Sequence, residues 1–219
     1  MKRSRRRRRL RPRFLRFCIL WGLVLAVVLT VCVRLLRDRF GGPEGEGVEV
    51  PEYVTADLLP VNRWSRPAVE LKRINGVVIH YVGNPATSAQ ANRNYFASLA
   101  DGRENTFASS HFIVGLEGEV LQCIPLTEIA YASMDRNGDT VAVEVCHPDK
   151  EGEFSPVTYD SAVELTAWLC REFDLDPAED VIRHYDVTGK QCPLYYVVHP
   201  EAWERFLTDT AERLEAAER

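Results

Sequence analysis

Cysteine is scarce, six in 219 residues. Cys18 and Cys32 fall in an apolar N-terminal run, and Cys123, Cys146, Cys170 and Cys192 are spread over the long remainder. That density is too low for the disulfide framework on which small secreted scaffolds rely. Acids are nearly missing from the first 39 residues, which hold 13 of the 27 Lys+Arg against Asp38 alone, and bases are short afterwards, 14 against 31 acids. The net charge of −5 therefore describes neither part. The acidic remainder exerts no long-range pull on anionic polymers, so nucleic acid is not an expected partner. Internal repeats and low-complexity tracts are absent from it. A composition of 46% hydrophobic and 27% charged residues excludes a wholly disordered chain.

Long hydrophobic runs are absent except for one. FCILWGLVLAVVLTVCV, Phe17 to Val33, is uncharged, and Leu35 and Leu36 extend it if Arg34 snorkels. It is just long enough to span a bilayer. Ten Lys/Arg precede it and three follow closely, which places the N-terminus in the cytoplasm and the acidic body outside. A cleaved signal peptide is the rival reading, but no small-x-small site follows the run. Topology accounts for the arginines without a nucleic-acid patch. The expected division is a basic cytoplasmic tail (1–16), a single-pass transmembrane anchor (17–36), a Gly/Glu-rich linker (37–50) and an extracytoplasmic domain (51–219) that acts as a monomer.

Within that domain, Val77 to Tyr81 and Val141 to Val145 are short, β-branched and continuous, as strands covered on both faces would be. Ser109 to Val114 and Val120 to Ile124 predict two strands joined around Glu117-Gly118. Thr87-x-x-Gln90 predicts the start of a helix with Ala91, Tyr95, Phe96 and Leu99 on its apolar side, and Ser161-x-x-Glu164 the start of a second. Trp203, Phe206, Leu207 and Leu214 repeat at helical spacing after Pro200. Strands interleaved with helices predict an α/β domain with a central sheet covered on its faces.

His80 at a strand end, with His184 and Cys192 in the stretch RHYDVTGKQCP, offers two imidazoles and a thiolate, donors that suit zinc with an open fourth position. By spacing alone, lone His and Cys residues are more often core or surface fixtures. Glu144 adds to the case, because a carboxylate inside an apolar strand either faces solvent at an edge or works near a cation or a water. A hydrolytic zinc site needs a base and a donor for the developing oxyanion, and Glu144 and Lys190 supply those types.

VVIHYVGNP, SSHFIVGLEGEVLQCIP, NGDTVAVEV and RHYDVTGKQCP, in that order, resemble the N-acetylmuramoyl-L-alanine amidases of the amidase type 2 family, which are related to phage T7 lysozyme and the peptidoglycan recognition proteins. The resemblance covers roughly Trp64 to Phe206. It implies a central mixed β-sheet flanked by helices, a zinc ion held by His80, His184 and Cys192, and peptidoglycan as partner. It further implies hydrolysis of the amide between the lactyl group of N-acetylmuramic acid and L-alanine, with Glu144 as general base and Lys190 on the oxyanion. Ser110 stands where the phage branch carries a tyrosine, so the base role falls to Glu144. His111 either lines the groove or satisfies a backbone carbonyl; Asn84 and Ser110 are further substrate-side candidates, and Asp186 either orients His184 or caps its turn. Two alternatives stay open: a silent muropeptide sensor on the same fold, and a structural domain in which Cys192 is disulfide-bonded. A Cys123–Cys146 bridge is also open, since both end predicted strands.

Overall fold

A computed structural model describes residues 20–25, 27–29, 32 and 42–217. The chain divides into two units, residues 1–42 and 43–219. Residues 20–25, 27–29 and 32 of the first are helical and exposed, and among the described residues no helix is long and apolar enough to cross a membrane. The expected basic tail and the remainder of the expected 17–36 anchor lie outside the described residues.

The second unit begins at Pro43, eight residues before the expected boundary, and the physical reason is a docked turn. Glu44 Oε2 accepts from the Ile74 backbone N–H at 2.7 Å, and Val48 and Val50 rest on the main core. Gly45 permits this approach, since a Cβ there would stand 2.7 Å from the Leu126 carbonyl oxygen. Residues 43–50 are thus part of the domain's surface layer.

Six strands form one mixed sheet in the order β1-β4-β3-β5-β2-β6: β1 (Val54–Ala56), β2 (Val77–Tyr81), β3 (Phe112–Val114), β4 (Val120–Gln122), β5 (Val141–Val145) and β6 (Val181–Arg183). The β3–β4 pair is antiparallel, as the Glu117-Gly118 turn requires, and the other pairings are parallel. The helices are α1 (Ala89–Ser98), α2 (Pro156–Phe173), α3 (Pro177–Asp180), α4 (His184–Thr188), α5 (Leu194–Val198) and α6 (Pro200–Ala217).

Alternation along the strands divides the residues between two faces. Val77, Ile79, Phe112, Val114, Val141, Val143 and Val145 enter the larger core with α2 and α6, including Leu165, Trp168, Leu169, Trp203 and Phe206. Ile113, Leu121, Cys123 and Cys146 join Ala89 and Phe96 of α1 in a smaller core on the opposite side. His80, Glu144 and Ile113 are cross-strand neighbours, so both polar residues share the α1 side with Ile113. Burial on both faces is why β2 and β5 read as continuous apolar runs.

Both N-terminal helix starts differ from the sequence expectation. Ser88, not Thr87, caps α1, its side chain accepting from Ala91 N–H; the frame shift leaves Ala91 and Tyr95 exposed and buries Ala89 and Phe96. The cap of α2 lies six residues before Ser161, at Ser155, with Pro156 in the first turn, where its missing N–H costs nothing.

Candidate metal centre

Strand β2 carries His80 to the end of the sheet, where the residue is buried. The neighbouring β6 runs straight into α4, whose first residue is His184. That junction is clamped by Arg183: its backbone N–H and Nε donate to Asp186 Oδ2 at 2.9 and 3.0 Å, and its terminal nitrogens reach Asp186 Oδ1 at 2.7 Å and the Tyr196 carbonyl at 2.9 Å. Gly189, in the left-handed conformation (φ 76°), ends α4. The chain then doubles back so that Tyr185 N–H donates to the Cys192 carbonyl at 2.9 Å, which sets the thiol beside the two imidazoles.

One ligand atom from each of His80, His184 and Cys192 lies within 4.8 Å of the others. Cys192 Sγ stands 3.9 Å from His80 Nδ1, and the two imidazole centroids are 4.5 Å apart. Both ring nitrogens of His184 and Glu144 Oε2 are buried without a hydrogen-bond partner among the described residues. Orphaned polar atoms are costly; the unpartnered His184 imidazole, grouped with the His80 imidazole and the Cys192 thiol, fits a divalent cation with nitrogen and sulfur ligands, for which zinc is the natural choice.

The electrostatics agree. Burial holds the His80 imidazole well below its usual pKa, with His184 and Lys190 adding to the effect; burial and then Lys190 lower His184. Neutral imidazoles are the ligand form. Burial, reinforced by Glu144, pushes the Cys192 thiol up to about 12, so ionising it as a ligand requires the charge of a bound cation. Glu144 is pushed up to about 8 by burial, against a lowering pull from Lys190. Lys190, exposed after Gly189, is thus a cation felt by His80, His184, Cys192 and Glu144 alike.

The Glu144 value carries a stability prediction for the metal-free protein. A carboxyl whose folded pKa lies above its unfolded one binds its proton more tightly when folded, so its stabilising contribution is complete below about pH 4.5 and is lost as pH rises through about 8. Glu144→Gln cannot ionise. Its stability relative to wild type is expected to climb by up to about 1.4 kcal/mol per pH unit across that window. Urea unfolding of both proteins at pH 5, 6.5 and 8 measures it; a difference independent of pH would refute the ionisation account.

Three of the sequence candidates, His111, Ser110 and Asp186, are taken up by other contacts. His111 does not line a groove: it is fully buried, its Nδ1 accepting from Ala142 N–H at 3.0 Å and its Nε2 therefore donating to the Glu128 carbonyl at 2.9 Å. It stitches β5 to a loop, and burial drops its pKa to about 4. Ser110 is likewise buried, donating to the Phe112 carbonyl at 2.8 Å, so neither can meet a substrate. Asp186 caps the turn through Arg183 and makes no bond to His184. Asn84 is exposed in the loop after β2.

Cys123 and Cys146 are free and buried, as are Cys170 and Cys192, which removes both disulfide alternatives. His147 bonds the Asp149 and Val82 carbonyls at 2.6 and 2.9 Å. One residue that sequence reasoning missed touches the cluster: Ser133 Oγ lies 3.1 Å from His80 Nε2.

The family described as N-acetylmuramoyl-L-alanine amidase (amidase type 2) matches residues 70–194, more than half the chain and a span containing His80, Glu144, His184, Lys190 and Cys192. The chain belongs to this family. Among curated amidases it is 31% identical over 172 residues to N-acetylmuramoyl-L-alanine amidase BlyA of Bacillus subtilis (strain 168), covering 69% of this chain and 45% of that protein. It is 32% identical over 156 residues to N-acetylmuramoyl-L-alanine amidase CwlL of Bacillus licheniformis, covering 66% and 42%. The matched part of the chain thus spans less than half the length of these amidases. Solved amidase-like folds include the PlyG catalytic domain (TM-score 0.61, 22% identity, 74% of this chain and 94% of that one) and the catalytic domain of XlyA (0.59, 24%, 72% and 98%); these establish the mixed sheet flanked by helices.

Proposed function

We propose that the domain is a zinc-dependent N-acetylmuramoyl-L-alanine amidase that cleaves the amide between the lactyl group of N-acetylmuramic acid and L-alanine in peptidoglycan. The observation that carries this reading is the convergence of His80, His184 and Cys192 beside the partnerless Glu144 Oε2, all inside the span matched by the family. When bound by the two histidines and the cysteine, zinc draws the pKa of water down towards about 7 and polarises a carbonyl. Glu144 then holds the proton released from water and passes it to the leaving amine; a group poised near neutrality suits both directions of transfer. Lys190 supplies positive charge for the oxyanion that develops on the amide carbonyl. Arg183 and Asp186 fix the first turn of α4 and so hold His184 in place.

The anchor belongs to the same proposal: the uncharged run from Phe17 to Val33 and the excess of arginines before it support a single-pass protein with its amidase domain outside the cytoplasmic membrane.

The test uses the full chain in detergent, purified without chelator and incubated with a muramyl-tetrapeptide. Mass analysis is expected to find the free lactyl sugar and the free peptide, with one zinc per chain. Stoichiometric zinc with substrate left intact would instead favour a muropeptide sensor on the same fold.

A further inference from the structure

His80 is held from both sides of its ring, and the two sides differ. Its Nδ1 faces Cys192 Sγ at 3.9 Å, whereas its Nε2 faces Ser133 Oγ at 3.1 Å. A neutral imidazole has one N–H and one lone pair, so the partner of one nitrogen decides what the other can do. Ser133 is 1% exposed, out of competition from bulk water.

We propose that Ser133 is the positioning residue for His80: its hydroxyl oxygen accepts the Nε2 proton, which fixes the tautomer and ring angle that turn the Nδ1 lone pair towards His184 and Cys192. This rests on the zinc reading above and adds to it which residue orients a ligand. Asn137 sets Ser133 in turn, its Oδ1 accepting from Ala132 and Ser133 N–H at 3.0 and 2.6 Å.

The segment around Ser133 is built to keep it there. Tyr131 is tied to Ser109 by two bonds, Tyr131 N–H to Ser109 Oγ at 2.9 Å and Ser109 N–H to the Tyr131 carbonyl at 3.0 Å. Beyond Ser133, Thr140 Oγ1 donates to the Arg136 carbonyl at 2.6 Å and Arg136 Nε to Asp139 Oδ1 at 2.8 Å. Between these ties Met134 is held at a φ of +51°, a conformation that an unbranched L-residue adopts only where its surroundings impose it. His184 has no such partner on either nitrogen among the described residues, so of the two imidazoles His80 is the one pre-oriented through its ring.

The full chain and its Ser133→Ala and Ser133→Thr variants decide the matter by two readouts. Side-chain ¹⁵N NMR of the metal-free proteins is expected to show His80 protonated at Nε2 in wild type and Ser133→Thr, and a mixture of tautomers in Ser133→Ala. Competition with a chelator is expected to give a zinc dissociation constant about 10–100-fold weaker for Ser133→Ala, with Ser133→Thr close to wild type and all three metal-free proteins melting together. An unchanged tautomer, or zinc affinity within twofold of wild type in Ser133→Ala, would overturn the proposal. So would equal weakening in both variants alongside a lower metal-free melting temperature, which would mark Ser133 as packing alone. Wild type that binds no zinc overturns the zinc reading instead, and the NMR comparison still decides whether Ser133 orients His80.

Discussion

Glu144→Gln is expected to hydrolyse a muramyl-peptide about 10²–10⁴-fold more slowly than wild type, the range lost when a positioned proton-transfer group is removed. The substitution keeps the shape of the side chain and removes its ability to take a proton. Because Glu144 lies beside the ligand cluster and is not part of it, zinc content is expected to stay at one per chain. The pairing of these two results is what identifies a base: lost turnover with lost metal would point to a damaged site. The same carboxyl also sets the acid side of the pH profile. Glu144 must be ionised to act, and burial, opposed by Lys190, puts its pKa at about 8 in the metal-free protein; a nearby dication favours the charged form and moves the rising limb lower. Cobalt- and zinc-loaded wild type, assayed from pH 5 to 9, are expected to show activity that falls on acidification, and the acidic limb is absent from the residual activity of Glu144→Gln.

Cys192→Ser is expected to cost more still. The two side chains have nearly the same shape, so the fold is preserved, but a hydroxyl in place of a thiolate leaves two imidazoles to hold the ion. Loss of a hydrogen-bond partner of a ligand costs about 10–100-fold in affinity, and loss of a ligand is expected to exceed that. Dialysed Cys192→Ser is expected to carry no stoichiometric zinc and to show no detectable hydrolysis. Thermal melting supplies an independent check, since a ligand that binds the folded state raises the melting temperature with its concentration. Wild type should gain stability on zinc titration and Cys192→Ser should not. Equal gains in the two proteins would remove Cys192 from the ligand set.

The parts of this molecule that could be read from sequence are those where one physical requirement dominates. Interior parallel strands must be apolar on both faces, so Val77 to Tyr81 and Val141 to Val145 stood out with their single polar residues, His80 and Glu144, already marked as exceptions. The C-terminal helix from Pro200 was equally plain. Helix starts were less so, because serine and threonine followed three residues later by Glu or Gln recur by chance: Ser161-x-x-Glu164 mimics a cap from inside α2, while the working cap, Ser155, bonds Thr158. The sequence places Ser110 on the substrate side and leaves His111 between two readings, the backbone one of which holds, because nothing local distinguishes a polar pair facing a groove from one consumed by neighbouring backbone groups. Ser133 had no signal at all: its partner His80 is 53 residues away, and only the fold brings them together.

The unpaired cysteines give the metal centre a second meaning. A domain with no cross-link among its described cysteines is held by non-covalent contacts, except at the place where the proposed ion would join positions 112 residues apart in the chain, His80 and Cys192. A tie over that span restricts the unfolded chain much as a long-range disulfide does, an effect of up to about 5 kcal/mol in the chain-entropy account. It also fastens a central strand to the segment just beyond the sheet's edge strand β6, so metal supply would govern how long the protein survives as well as how fast it works.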